Sequence, residues 1–207
     1  MGQSAPMPAP QALILASTSP YRRELLARLR LTFDVVSPEV DETAFANEAP
    51  SQLALRLARA KARAVLQHHP DAVVIGSDQV AELDGVAIGK PGTHERAVLQ
   101  LRSMSGRSVV FQTGVCVATR SFEEAVLVPV TVQFRQLDDA DIETYLRLEQ
   151  PYDCAGSAKV ETLGIALLDS LHSDDPTALI GLPLIQTCRL LRRAGLDPLS
   201  PLATRPS

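Results

Sequence analysis

Six side chains able to do chemistry are spread over the first 90 residues of a 207-residue chain: Arg22, Arg23, Glu42, Lys61, Asp78 and Lys90. The two arginines raise a problem. "LILASTSPYRRELLARL" reads as a short buried strand followed by a helix, with Ser19 as N-cap and Pro20 at the first helical position. Arg22 and Arg23 then fall in the first turn, where unpaired N–H groups already carry partial positive charge. Each should cost about 0.3–1 kcal/mol there. Either both side chains swing into water, or an anion sits at this terminus among hydroxyls, N–H groups and guanidinium forks.

The other four residues widen the choice. Asp78 follows a buried apolar run and a Gly-Ser break, which suits either a ligand-binding strand end or a turn-forming Asp. Glu42 lies in "PEVDET", a solvated acidic loop unless it shares a divalent cation, Mg²⁺ or Mn²⁺, with Asp78. Lys61 falls in register with Leu53 and Leu57 at i, i+4, i+8, on an inward-looking stripe where an ammonium needs a partner or must snorkel. Lys90, between Gly89 and Pro91, is either a phosphate contact or an exposed loop lysine. Together these are the parts of a metal-assisted phosphoryl or nucleotidyl enzyme. No GxxxxGK[ST] loop is present, so it is no ordinary P-loop NTPase.

Composition bounds the partners. A net charge of −4 offers no broad positive field for a nucleic-acid polymer, and any basic cluster is local. Hydrophobic residues at 45% are ordinary for a globular protein, and no apolar run approaches the ~18 residues needed to span a bilayer. Cys116, Cys154 and Cys188 make neither a disulfide framework nor a C-x-x-C site, so a reducing cytoplasm is expected. Residues 1–10, Ala/Pro-rich and uncharged, lack the basic and apolar regions of a signal peptide. Flexible tails are expected at 1–10 and 200–207, around a single domain at 11–199.

The elements that must position these residues follow from pattern. Strands are expected at Leu13–Ala16, Phe33–Val36 and Ala72–Ile75, the last broken by Gly76-Ser77-Asp78. Ser51 should cap a long Ala/Leu/Arg-rich helix, and Asp84-Gly85 marks a hairpin. A helix opening at Thr93, two meander strands, a helix capped by Asp138 or Asp139, a loop leading to a strand, and a closing helix stopped by Gly195 complete the chain. The mixture predicts one α/β domain with two lobes around a cleft.

Six motifs then occur in order: "LASTSPYRRELL", "PEVDE", "RLARAKA", "IGSDQV", "GKP" and "CAGSAKVETLG". Together they resemble the Maf family of nucleoside triphosphate pyrophosphatases from about Leu13 to Gly195. The resemblance implies the α/β fold shared with inosine-triphosphate pyrophosphatases, a nucleotide cleft, a divalent metal and commonly a homodimer. It also implies release of a nucleoside monophosphate and diphosphate. By motif, Asp78 corresponds to the family's proton acceptor and, with Glu42, to its metal position; Ser17, Arg22, Lys61 and Lys90 match its phosphate-binding positions.

Three further positions separate branches of the family. Members acting on dTTP and UTP typically read S-P-R-R, with Asp-Thr at the catalytic motif and Gln in the late loop. Here Tyr21, Gln79 and Glu161 stand in those places, a pattern similar to the branch hydrolysing 7-methyl-GTP. N7-methylation makes guanine cationic, so a flat ring can stack on it and a carboxylate can accept from its N1–H and 2-amino group. That branch often has Trp at the Tyr21 position, and this chain contains no Trp. The alternatives are a dTTP/UTP pyrophosphatase, which these three residues oppose, and a non-catalytic nucleotide-binding regulator of cell division. The latter should have lost at least one of Asp78, Glu42 and the two lysines.

Overall fold

The computed structural model describes residues 12–200. Apart from Ser200, the tails expected at the two ends lie outside those residues. The chain folds as mixed α/β, around one seven-stranded sheet of order β2-β1-β3-β5-β6-β7, with β4 paired to the free end of β3. β1 (Leu13–Ala16) is fully buried and runs parallel to both β2 (Asp34–Val36) and β3 (Val73–Leu83). The remaining pairs, involving β4 (Val86–Ile88), β5 (Ser108–Ala118), β6 (Glu123–Phe134) and β7 (Leu168–His172), are antiparallel. Among the described residues no helix is long and apolar enough to cross a membrane.

The long strands β3, β5 and β6 run through two core regions. One packs Leu101, Met104, Phe111, Phe134, Ile142 and Leu146 beneath α3 (His94–Met104) and α4 (Asp139–Glu149). The other gathers Leu15, Leu25, Leu26, Ile75, Val117 and Leu190 under α1 (Pro20–Ala27) and α5 (Leu184–Arg193). α2 (Pro50–His68) covers the opposite face of the sheet with Ala58, Ala62 and Val65. Two lobes therefore share one sheet, and the cleft lies where they meet.

Two expectations need correction. α2 starts at Pro50 after Ala49, not after a Ser51 cap: the fixed φ of proline suits the first helical position, so the helix opens one residue before Ser51, with no side-chain cap. β3 does not break at Gly76-Ser77-Asp78. It continues for 11 residues, with Asp78 in mid-strand opposite Gly114 of β5. Gly76 is there because a Cβ would run into the Ala58 carbonyl of α2, and Gly114 would meet Ala54 in the same way. These glycines mark a close helix approach, not a turn. β1, however, stops at the residue paired with Gly76, so Asp78 still emerges just past the end of the parallel pair.

Candidate active site

The tight packing of α2 on β3 decides where Lys61 goes. Leu53, Leu57 and Lys61 are all buried on the face turned to the sheet, and Lys61 is 5% exposed. Its ammonium lies 2.6 Å from Asp78 Oδ1 and 2.7 Å from Glu42 Oε1. The inward lysine thus has two partners. The two carboxylates, one from mid-strand and one from the loop after β2, converge on a single cation position.

Arg22 is brought to the same place from α1. Ser19 caps that helix by accepting the Arg22 N–H, and Ser17 Oγ accepts both the Ser19 N–H (3.1 Å) and Arg22 Nη1 (3.4 Å). Arg22 Nε donates to the Gly181 carbonyl at 2.9 Å. The guanidinium therefore turns into the molecule, whereas Arg23 is exposed. Burial lowers the pKa of Arg22, and the charges of Asp78 and Glu42 oppose that shift. For Glu42, burial pushes the carboxyl up, but the Lys61 hydrogen bond and the charges of Lys61, Lys90 and Arg22 outweigh it. The net shift is downward.

Ser17, Tyr21, Arg22, Glu42, Lys61, Asp78, Gln79, Lys90 and Glu161 all line one cavity of about 570 Å³. Its charges fall into two groups. Arg22, Glu42, Lys61, Asp78 and Lys90 act on one another at one end. At the other, Tyr21 lies beside Cys154, Asp153 and Lys159, and Glu161 beside Lys159 and Asp153. Partial burial raises both the Tyr21 hydroxyl and the Glu161 carboxyl. Burial pushes the Cys154 thiol up to about 12, so it lines the wall as a neutral group. Consecutive residues of one helix turn, Tyr21 and Arg22, thus belong to different groups of charges.

Gln79 has a different neighbourhood. Its amide nitrogen donates toward Thr113 Oγ1 and the carbonyls of Ala178 and Leu179 at 2.9–3.0 Å. Ser77, two residues back on the same strand face, reaches the Gly114 and Gly181 carbonyls at 2.8 and 2.9 Å. Both hold the segment 178–181, whose Leu179, Ile180 and Gly181 form part of the cavity wall. The reading of the sequence passed over Ser77 and Thr113. The available signal was period-two alternation along β3, which sets Ser77 and Gln79 on the face opposite Asp78.

A model of the Maf-like protein family matches residues 12–194. The chain belongs to that family. Among curated Maf-like relatives, the 7-methyl-GTP pyrophosphatase of Albidiferax ferrireducens is 64% identical over 93% of this chain and 98% of its own length. The protein of the same name from Polaromonas sp. is 62% identical over 91% and 87%, and that from Bordetella pertussis 60% identical over 94% and 98%. Of solved structures, the Staphylococcus aureus Ham1 protein aligns with a TM-score of 0.44 at 14% identity, over 60% of this chain and 72% of that one.

The donor set fits a divalent cation. Two carboxylate oxygens already meet at one positive centre, and Mg²⁺ characteristically takes one or two carboxylates and completes its shell with substrate phosphates. Among the described residues no group of three or more His, Cys, Asp or Glu side chains could hold a metal. Glu42 and Asp78 would therefore bind it together with the nucleotide, not as a protein-only cage.

Proposed function

We propose that this chain hydrolyses 7-methyl-GTP to 7-methyl-GMP and diphosphate, clearing a modified nucleotide. One observation carries the reading: a single cavity is lined both by a cationic, carboxylate-bearing group and by an aromatic ring with a second carboxylate, Tyr21 and Glu161. The relatives named above, all 7-methyl-GTP pyrophosphatases, support the same substrate.

In this reading Arg22, Lys61, Lys90 and the Ser17 hydroxyl grip the triphosphate, and Asp78 is the base. Lys61 fixes Oδ1, which leaves Oδ2 to take the proton from a water attacking the α-phosphorus. The bond from that phosphorus to the bridging oxygen then breaks, and diphosphate leaves with its charge met by the cations. A divalent cation on Glu42 and Asp78, Mg²⁺ or Mn²⁺, would add Lewis-acid charge at the phosphates. Tyr21 stacks on the methylated base and Glu161 accepts from its N1–H and 2-amino group, while Gln79 acts through the wall segment it holds. A cytoplasmic homodimer is the form we propose, on the family resemblance and on the three unpaired cysteines.

The experiment is kcat/KM for 7-methyl-GTP, GTP, UTP and dTTP, with diphosphate and phosphate measured separately. The expected result is a preference for 7-methyl-GTP with diphosphate as product. A preference for UTP or dTTP would overturn the substrate, and release of single phosphates would overturn the reaction.

A further inference from the structure

Glu42 sits on an unlikely support. The segment 37–49, between β2 and α2, contains neither helix nor strand, and residues 41–47 are exposed throughout. Exposed backbone with so little burial should open readily. Yet this segment contributes Ser37, Pro38 and Glu42 to the cavity wall. Something must hold it.

The contacts converge on Arg56 of α2. Its Nε and Nη2 fork onto the Glu48 carboxylate at 2.6 and 2.8 Å. Nη2 also donates to the Thr43 carbonyl at 3.0 Å, next to Glu42 in the chain. The guanidinium carbon lies 4.0 Å above the Phe45 ring, and Glu48 in turn accepts the Phe45 N–H at 3.0 Å. One planar group thus binds the segment by a bidentate pair, a backbone carbonyl and a ring face, a combination lysine cannot reproduce. The Arg56 hydrogen bond holds the Glu48 carboxyl at about 2, so the pair stays charged over any working pH. Arg56 precedes Lys61 by five residues, about 140° around the same helix. The helix that carries the inward ammonium therefore also carries, on another face, the clamp for that ammonium's second partner.

We propose that Arg56 is a positioning residue that clamps the segment 37–49 to α2 and so delivers the Glu42 carboxylate to the phosphate end of the cavity. The inference rests on the reading of Glu42 as a site residue and adds to it. It needs no contact between Arg56 and the nucleotide.

The test compares the full-length wild type, Arg56→Gln, Arg56→Lys, Glu42→Gln and the Arg56→Gln/Glu42→Gln double variant by three measurements. In Arg56→Gln, hydrogen exchange of the amides at 41–48 should quicken while the strands stay protected. Mn²⁺ titrated in the presence of a non-hydrolysable 7-methyl-GTP analogue and followed by electron paramagnetic resonance should bind about 10-fold more weakly, the usual scale for losing a support behind a metal ligand. kcat/KM should fall by a similar factor, and Arg56→Lys should recover little. Added to Glu42→Gln, Arg56→Gln should cost nothing further, because both act through one carboxylate. Full additivity in the double variant, or unchanged exchange and Mn²⁺ binding in Arg56→Gln, would overturn the clamp. A Glu42→Gln variant with wild-type Mn²⁺ binding and turnover would bring down the role of Glu42 itself, and with it the purpose of the clamp.

Discussion

The two ends of the cavity are built to different standards. At the proposed phosphate end three groups stand on regular elements, Asp78 in the middle of β3, Lys61 on the inner stripe of α2 and Arg22 in the first turn of α1, while Glu42 and Lys90 are added from loops. Lys61 bonds Asp78 at 2.6 Å across the contact that glycines 76 and 114 keep close, and Arg22 is fixed separately by the Gly181 carbonyl at 2.9 Å. At the base end, Glu161 belongs to an irregular stretch between the 3-10 turns Ala155–Ser157 and Leu163–Leu167. Proton transfer tolerates little displacement, so its groups belong on a rigid frame. Base selection needs only a face and an edge of the right charge, which a loop can carry and vary.

The largest expected effect belongs to the rigid end. Asp78→Asn keeps the shape of the side chain and removes the base. Steady-state release of diphosphate should show kcat lower by about 10²–10⁴-fold, with KM changed far less. A variant with near-normal kcat would erase the distinction, because the ordered end would then be scaffolding only.

The same contrast governs what could be read from the sequence. The inward place of Lys61 was legible because a helix repeats every 3.6 residues, and a cation falling on a stripe with Leu53 and Leu57 stands out. The capped start of α1 and the burial of β1 were legible for similar reasons. The continuity of β3 was not: Gly76-Ser77 has the composition of a turn, and only the helix packed above it explains the glycine. Arg56 was invisible for the opposite reason. Its partners Thr43, Phe45 and Glu48 lie in a segment without periodicity, so nothing in their spacing points back to α2. Motif order singled out Tyr21 and Glu161, but their grouping beside Lys159 and Asp153 depends on how an irregular stretch folds back on α1.

A middle-sized effect is expected at Glu161. Hydrogen bonds to an ionised group are worth about 1.5–3 kcal/mol, so Glu161→Gln should cut the preference for 7-methyl-GTP over pyrimidine triphosphates by roughly 10- to 150-fold. pH offers a second handle. Burial raises this carboxyl, so its charge is lost, as pH falls, at a higher pH than for an ordinary glutamate. Glu42, shifted downward, keeps its charge through the same window. The ratio of kcat/KM for 7-methyl-GTP to that for UTP should therefore decline on mild acidification in wild type and stay flat in Glu161→Gln. A flat wild-type ratio would remove the carboxylate from base recognition.

The smallest effect should come from Tyr21, and its size is the sharpest gauge of how loosely the base end is specified. A cation–π contact is worth about 0.5–2 kcal/mol, with tryptophan the best face and tyrosine weaker. Tyr21→Ala should accordingly narrow the ratio of kcat/KM for 7-methyl-GTP over GTP by roughly 2- to 30-fold, and Tyr21→Trp should widen it. GTP is the right competitor because it presents the same N1–H and amino group to Glu161 and differs only in the N7-methyl group and the ring charge that group brings. Tyr21→Phe separates the ring from the hydroxyl, which lies near Lys159. If stacking is what matters, Phe should keep most of the selectivity. If the hydroxyl and its lysine matter instead, Phe should behave like Ala. In all three variants kcat for the preferred substrate should stay within about 3-fold, because the charged groups that act on Tyr21 are Cys154, Asp153 and Lys159, not those around Lys61. A large loss of kcat in Tyr21→Phe would mean that the turn carrying Tyr21 and Arg22 moves as one body, and the two ends of the cavity could no longer be treated as separate devices.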